Sequence, residues 1–165
     1  MKKIVAFDED IWDSSPITGY VVVPTNIGWK SNGENVMGAG LAQQAAERFP
    51  ELPKIYGKWC KKKGNHIFVN DRLRIICAPT KTLNEEQPHL SWQRPSDPEL
   101  VLYSYIKLLK LAKEWSVESC SSEGIKYIKC PILGSGKGNI PKEEAVEYAE
   151  QFDWTENVKF FDKWR

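Results

Sequence analysis

Apolar residues along the chain alternate between short continuous runs and stretches with a helical repeat. Runs such as Tyr20–Val23 and Ile125–Cys130 are rich in β-branched and apolar side chains and short enough to be buried strands. Between such runs, Val101, Tyr105 and Leu108 recur at the spacing that puts them on one face of an α-helix. Strands that alternate with helices predict an α/β fold, a three-layer α/β/α sandwich with a mixed, largely parallel central sheet.

The same pattern predicts six strands and four helices. The strands are expected over Lys3–Phe7, Tyr20–Val23, Ile67–Val69, Leu73–Ala78, Ile125–Cys130 and Val158–Phe161. The helices are expected over Leu41–Phe49, Leu52–Lys62, from the capping box at Ser96 to Glu99 onward, and over Pro141–Phe152. No repeat or linker divides the chain, so residues 1–165 are expected to form a single domain.

The stretch that most suggests a binding site runs from Asn35 to Pro50. It begins with the small-residue loop Met37-Gly38-Ala39-Gly40 and continues into a helix at Leu41. Glycines let a ligand approach the backbone closely, and the free N–H groups of a helix's first turn favour an anion. A capping turn without a ligand is the alternative for such a loop taken alone.

A second loop of the same kind makes the ligand interpretation stronger. Gly134-Ser135-Gly136-Lys137-Gly138-Asn139 follows a predicted strand and precedes a predicted helix. Ligands of open α/β sheets bind at the edge where the strands end, so both loops are expected on one rim. Two such loops suggest a ligand with two phosphates, or with a phosphate and a sugar. The unperiodic stretch Thr80–Pro95 is long enough to be functional or disordered.

Composition and charge limit the expected classes of function only in part. The formal net charge of +1 argues neither for nor against nucleic-acid binding, so a nucleic acid could still be a substrate. No metal or cofactor is expected, because the cysteines are widely spaced and show no metal-ligand pattern with His66 or His89; they are Cys60, Cys77, Cys120 and Cys130. The N-terminus lacks the apolar run of a signal peptide, and no stretch is long enough to span a bilayer. A cytoplasmic protein with reduced thiols and no membrane partner is therefore expected. A monomer is expected too, although none of these features determines the oligomeric state.

Three segments, in this order, resemble the macro domain family, whose members bind ADP-ribose and its derivatives. Glu9-Asp10-Ile11 resembles the acidic dipeptide that reads adenine after the first strand. Val36-Met37-Gly38-Ala39-Gly40-Leu41-Ala42 resembles the first ribose- and phosphate-binding loop, and Pro131-Ile132-Leu133-Gly134-Ser135-Gly136 resembles the loop that wraps the diphosphate. The form of these loops is similar to the branch that contains glycohydrolases acting on ADP-ribosylated glutamate and DNA, and ADP-ribose 1″-phosphate phosphatases.

The resemblance implies roles for single residues. Asp10 would accept a hydrogen bond from the adenine amino group, and the Ile11 N–H would donate to a ring nitrogen. Asn26 would contact the distal ribose, with a turn-stabilising asparagine as the alternative. Phe161 and Trp164 are candidates for stacking on adenine, or for the core. The other implied ligand contacts are Asn35, Met37, Gly38, Ala39, Gly40, Leu41, Trp92, Gly134, Ser135, Gly136, Lys137, Gly138 and Asn139.

Lys81 matches a lysine that, in that branch, attacks the distal ribose at its anomeric carbon, so Lys81 and Asn26 are the predicted catalytic residues. Gly138 matches the acid that completes the reaction and has no side chain. His89 is a candidate proton carrier if it faces the site. Two functions therefore stay open: a hydrolase of ADP-ribosyl derivatives carried by protein or nucleic acid, or of ADP-ribose 1″-phosphate, and a module that binds or sequesters ADP-ribose without turnover. A protein that binds another nucleotide is a third possibility.

Overall fold

The computed structural model describes residues 3–116 and 124–162, so Cys120 and the candidate stacking residue Trp164 lie outside the described residues. Six strands form one sheet in the spatial order β1-β6-β5-β2-β4-β3. The strands are β1 (Ala6–Phe7), β2 (Tyr20–Asn26), β3 (Phe68–Asn70), β4 (Ile75–Lys81), β5 (Ile128–Pro131) and β6 (Val158–Phe161). All neighbouring strands are parallel except β3, which pairs with β4 in antiparallel fashion. The mixed, largely parallel sheet predicted from the sequence is confirmed.

Helices cover both faces of the sheet. They are α1 (Gly40–Arg48), α2 (Leu52–Lys62), α3 (Pro98–Ser116) and α4 (Lys142–Glu150), with short 3-10 helices over Pro88–Gln93 and Gly136–Gly138. Successive side chains of a strand point to opposite faces, so Val22 packs in one core cluster and Val21 and Val23 in another. The first cluster contains residues of α3 and α4, and the second contains residues of α1 and α2. The result is the predicted three-layer sandwich.

The carboxyl ends of the central strands lie at one edge of the sheet, because β2, β4 and β5 run parallel. The segment that follows β2 contains the first glycine loop, and the second glycine loop follows β5. The long loop that contains the Pro88–Gln93 helix follows β4. Three chain segments that are far apart in sequence therefore start from the same rim.

Several element boundaries differ from the sequence prediction. Strand β1 has only two residues, because it is an edge strand with β6 as its one neighbour. Strand β2 continues through Pro24 to Asn26. This part of the strand pairs with β4 on one side only, so the missing backbone N–H of Pro24 is tolerated. Helix α3 is capped by Asp97, whose Oδ1 accepts the Glu99 N–H at 3.0 Å, so the predicted capping box at Ser96 is wrong by one residue. Within the described ranges, no helix is long and apolar enough to cross a membrane.

Candidate functional site

A cleft of about 1140 Å³ opens at the carboxyl edge of the sheet. Pockets for drug-sized ligands have roughly 300–1,000 Å³, so this cleft has room for a ligand as large as a dinucleotide. Most residues singled out in the sequence line it: Asn26, Gly38, Ala39, Gly40, Leu41, Lys81, Trp92, Gly134, Ser135, Gly136, Lys137, Gly138 and Asn139. The two glycine loops thus line the same cleft, as expected for loops that follow parallel strands.

Three glycines of the cleft have open space where a side chain would be. A Cβ at Gly38, Gly40 or Gly136 would meet no other atom within 4 Å. Gly40 and Gly136 also have positive φ angles, +59° and +65°, which side chains rarely adopt. The φ of Gly38 lies outside that region, so neither packing nor backbone strain requires a glycine there. A side chain at Gly38 would instead extend into open space at the lining of the cleft.

Backbone N–H donors point to an anionic ligand. Helix α1 starts after Ala39, and no side chain caps its first turn, so the N–H groups of that turn are available at the positive end of the helix dipole. In the second loop, the N–H groups of Gly136 and Lys137 form no hydrogen bond within the described part of the chain. Donors from both loops can therefore bind a phosphate group or two linked phosphates.

Contacts with neighbouring residues fix the conformation of the second glycine loop. The Leu133 N–H donates to the buried hydroxyl oxygen of Tyr105 at 2.8 Å, which ties the loop to α3. Gly134 has a φ of +93°, which side chains rarely adopt, and a Cβ there would also lie 2.7 Å from Cδ1 of Ile140. Asn139 ends the short 3-10 helix with a φ of +66°, a conformation that asparagine tolerates. The loop donors are thus preorganised before a ligand binds.

A bulge between β2 and β4 brings the two predicted catalytic residues together. Thr25 pairs with Pro79, but Asn26 pairs with Lys81, so Thr80 is the extra residue on β4. Bulges of this kind re-aim side chains and are common beside functional sites. As a result, Asn26 and Lys81 are direct neighbours at the ends of adjacent strands, and both line the cleft.

Lys81 is held at the rim of the cleft by the long loop. Its Nζ donates a hydrogen bond to the Trp92 carbonyl oxygen at 2.8 Å. Partial burial, and then the positive charge of Lys137, lower the pKa of the Lys81 ammonium below its ordinary value. Among the described residues that line the cleft, none is Asp or Glu. The cleft is therefore suited to an anion and contains an amine that deprotonates more readily than an exposed lysine.

Asn26 has a structural task that leaves part of its amide free. Its Nδ2 donates to the Val36 carbonyl oxygen at 2.9 Å, and its Oδ1 accepts the Gly28 N–H at 3.0 Å. These bonds close the loop between β2 and the first glycine loop, as the turn-stabilising alternative predicted. An amide nitrogen carries two hydrogens, so one N–H of Asn26 remains for a ligand. Its predicted role in catalysis stays a prediction.

Asn35 was predicted to contact a ligand, but it lies beneath the cleft and is only 1% exposed. Its Nδ2 lies 3.0 Å from both the carbonyl oxygen and Oδ1 of Asn26, and 2.8 Å from the Gly28 carbonyl oxygen. Asn35 thus positions Asn26. The sequence predicted a ligand contact instead, because a loop asparagine beside glycines is typical both of ligand binding and of stabilising a loop.

We expect Asn35→Ala to lower the free energy of unfolding by about 2–4 kcal/mol, because it leaves buried acceptors of Asn26 and Gly28 unpaired. Urea denaturation measures the change. Asn32→Ala is the matched control: Asn32 is an exposed asparagine of the same loop, bonded only to Glu34 among the contacts of the described residues. An Asn35→Ala variant as stable as the Asn32→Ala variant would contradict the role of Asn35.

The residues predicted to recognise adenine do not line the cleft. The Asp10 carboxylate accepts the Trp12 N–H at 2.9 Å in the loop between β1 and β2. Ile11, Phe161 and Met37 are buried in the same core cluster as Leu41, which brings that loop close to the start of α1. Of the two interpretations of Phe161, the core one therefore fits this structure. The roles of Asp10 and Ile11 toward adenine, and of Met37 toward a ligand, stay predictions.

His89 does not face the cleft. It lies beside a separate surface depression of about 250 Å³, which is also lined by Trp29, Lys30, Ser31, Lys61 and Pro88. As a proton carrier for the cleft it is therefore misplaced, although Trp92 of the same 3-10 helix does line the cleft. Within the described ranges, no group of three or more His, Cys, Asp and Glu side chains is placed to hold a metal ion.

Ser96 lines the cleft, although its sequence context predicted only a helix cap. A Cβ at Gly138 would lie 2.2 Å from Ser96 Oγ and 3.0 Å from Ser96 Cβ. The space that a side chain at position 138 needs is thus filled by Ser96, which explains why no acid can stand there without a shift. Nothing in the local sequence signals this contact, because the two residues are far apart in the chain.

No family model matches the chain, but its fold and sequence are similar to those of known proteins. The solved macrodomain of Thermus aquaticus DarG superposes with a TM-score of 0.70 at 25% identity, with 99% of each chain covered. A DNA ADP-ribosyl transferase-DNA ADP-ribosyl glycohydrolase fusion protein of Thermosipho africanus is 28% identical over 117 residues, 66% of this chain. An ADP-ribose 1″-phosphate phosphatase of Saccharomyces cerevisiae is 25% identical over 135 residues, 70% of this chain.

The aligned part is 30% of the length of the Thermosipho fusion protein and 76% of that of the yeast phosphatase. The structural match, by contrast, extends over nearly the whole of both chains. The chain therefore has the macro domain fold, as its loop sequences indicated.

Proposed function

We propose that this chain binds ADP-ribose or an ADP-ribosyl derivative in the cleft and hydrolyses it at the distal ribose. The observation that carries the binding proposal is Gly38, a glycine that neither strain nor packing requires and whose missing side chain leaves the cleft open. The N–H groups of both loops supply the donors that a diphosphate needs. The two similar proteins, a DNA ADP-ribosyl transferase-glycohydrolase fusion and an ADP-ribose 1″-phosphate phosphatase, are both named for ADP-ribose or ADP-ribosyl groups.

Hydrolysis would use Lys81 as the nucleophile. The neutral Lys81 amine attacks the anomeric carbon of the distal ribose, and a carbon–nitrogen bond forms as the bond to the leaving group breaks. The leaving group takes up the proton that the attacking amine loses. Water then attacks the same carbon, which releases ADP-ribose and restores the amine. The lowered pKa of Lys81 favours the first step, because more of the amine is neutral at a given pH.

Binding without turnover is the second candidate function. It is favoured by the lining of the cleft, which includes no carboxylate among the described residues and so offers no general acid or base of that kind. Lys81 and Lys137 would then act only as positive charges beside the diphosphate.

Two measurements on the same protein separate these functions. Calorimetric titration with ADP-ribose should give saturable 1:1 binding. Incubation with an ADP-ribosylated DNA oligonucleotide, a peptide ADP-ribosylated on glutamate, and ADP-ribose 1″-phosphate should release ADP-ribose from at least one of them, as followed by chromatography. Binding without release from any substrate would favour the non-catalytic module. Failure to bind ADP-ribose at all would overturn the whole proposal.

A further inference from the structure

The start of α3 joins the two walls of the cleft. The Asp97 N–H donates to the Thr80 carbonyl oxygen at 2.8 Å, next to Lys81. One residue earlier, the Ser96 N–H donates to the Gly138 carbonyl oxygen at 2.9 Å, in the second glycine loop. Ser96 therefore lies between the end of β4 and the second loop, and its position is fixed by backbone bonds on both sides.

The Ser96 hydroxyl is buried and has no partner. Ser96 is 6% exposed, and its Oγ forms no hydrogen bond within the described residues. Two other buried serines are paired: Ser91 Oγ donates to the Pro88 carbonyl oxygen at 2.8 Å, and Ser104 Oγ to the Pro79 carbonyl oxygen at 2.7 Å. Ser14 Oγ is also unpaired, but Ser14 does not line the cleft. Leaving a buried hydroxyl unpaired destabilises a protein, so such a group calls for an explanation.

The cleft supplies the explanation. Five buried side-chain atoms in the described part of the chain lack a partner, and of these only Ser96 Oγ belongs to a residue that lines the cleft. The absence of a side chain at Gly138 is what makes room for this hydroxyl. For a ligand in the cleft to supply the missing partner, the hydroxyl must first rotate about the Cα–Cβ bond, because its oxygen is itself buried.

The chemistry of the site indicates which part of a ligand would be the partner of Ser96 Oγ. The loop N–H groups and the two lysines are suited to phosphate oxygens, whereas a neutral hydroxyl that can both donate and accept suits a sugar hydroxyl. Resting on the proposed function, we propose that Ser96 Oγ hydrogen-bonds a hydroxyl of the distal ribose, beside Lys81. Ser96 thereby makes the cleft prefer ADP-ribose over ADP, which has the same diphosphate but lacks that sugar.

Calorimetry with Ser96→Ala tests this assignment. The affinity for ADP-ribose should fall about 3- to 10-fold, the loss expected for one hydrogen bond, and the affinity for ADP should not change. The melting temperature of the ligand-free variant should be unchanged or higher, because the substitution removes an unpaired buried hydroxyl and no hydrogen bond.

Ser104→Ala is the matched control, since it removes a buried hydroxyl that has a partner and does not line the cleft. It should lower the melting temperature and leave both affinities unchanged. An ADP-ribose affinity that is unaffected by Ser96→Ala, or an equal loss for ADP, would overturn the role of Ser96 while leaving the proposed function in place. If the unchanged protein binds no ADP-ribose, the proposed function itself fails.

Discussion

Gly136→Glu is expected to weaken ADP-ribose binding at least about 100-fold. A side chain at this position would extend into open space of the cleft, beside the free N–H groups of Gly136 and Lys137. Its carboxylate would occupy the place of a phosphate and repel the rest of the diphosphate. Two unit charges about 4 Å apart near a protein surface interact with roughly 4 kcal/mol, which alone exceeds a 100-fold change in affinity.

Gly64→Glu is a close control for this substitution. Gly64 follows α2 with a φ of +61°, nearly the +65° of Gly136, and its Cβ would meet only the Cys60 carbonyl oxygen, at 3.8 Å. The Gly64→Glu substitution therefore introduces the same charge and similar backbone strain at a position that does not line the cleft. Both variants should lose a similar amount of stability, but Gly64→Glu should bind ADP-ribose like the unchanged protein. If the two variants bind ADP-ribose with equal affinity, the second loop does not form the diphosphate site.

Gly38→Val gives an independent check without backbone strain. The φ of Gly38 lies outside the left-handed region, and a Cβ there meets no atom within 4 Å. The variant should fold with unchanged stability and still lose most of its ADP-ribose affinity, because the new side chain fills the cleft.

Lys81→Ala is expected to slow ADP-ribose release at least about 100-fold, because it removes the proposed nucleophile and leaves only attack by water. ADP-ribose affinity should fall much less, since the loop N–H groups remain. Single-turnover release from a substrate cleaved by the unchanged protein measures the effect. Lys58→Ala, which removes an equal charge from an exposed position on α2, should release ADP-ribose at the original rate. A Lys81→Ala variant of full activity would refute the nucleophilic role.

The pH dependence of the same reaction follows from the pKa of Lys81. Desolvation, and then Lys137, lower this pKa, so the neutral amine forms at a lower pH than in an exposed lysine. The rate should therefore rise with pH and level off above the lowered pKa. Lys137→Gln removes a positive charge that disfavours the ammonium form, so it should raise the pKa of Lys81 and move the rise to higher pH. A shift to lower pH would contradict the coupling between the two lysines.

Much of the fold could be predicted because its signals are local. Alternation of short β-branched runs with helical repeats is enough to indicate a largely parallel sheet between helices. Two glycine loops that each precede a predicted helix suggest an anion site, which stays a prediction. The two glycine loops were correctly expected at one rim, since parallel strands that alternate with helices bring their carboxyl ends together. The antiparallel pairing of the edge strand β3 with β4 also follows from the short connection between them.

Only the tertiary structure decided which side chains of these segments reach the cleft. A single bulged residue, Thr80, sets Lys81 beside Asn26, and one buried amide, Asn35, holds Asn26 from below. Ser96 fills the space next to Gly138, although the sequence indicated only a helix start there. Such contacts join residues that are remote in the chain. They depend on the packing of whole elements against one another, which local periodicity and residue type do not specify.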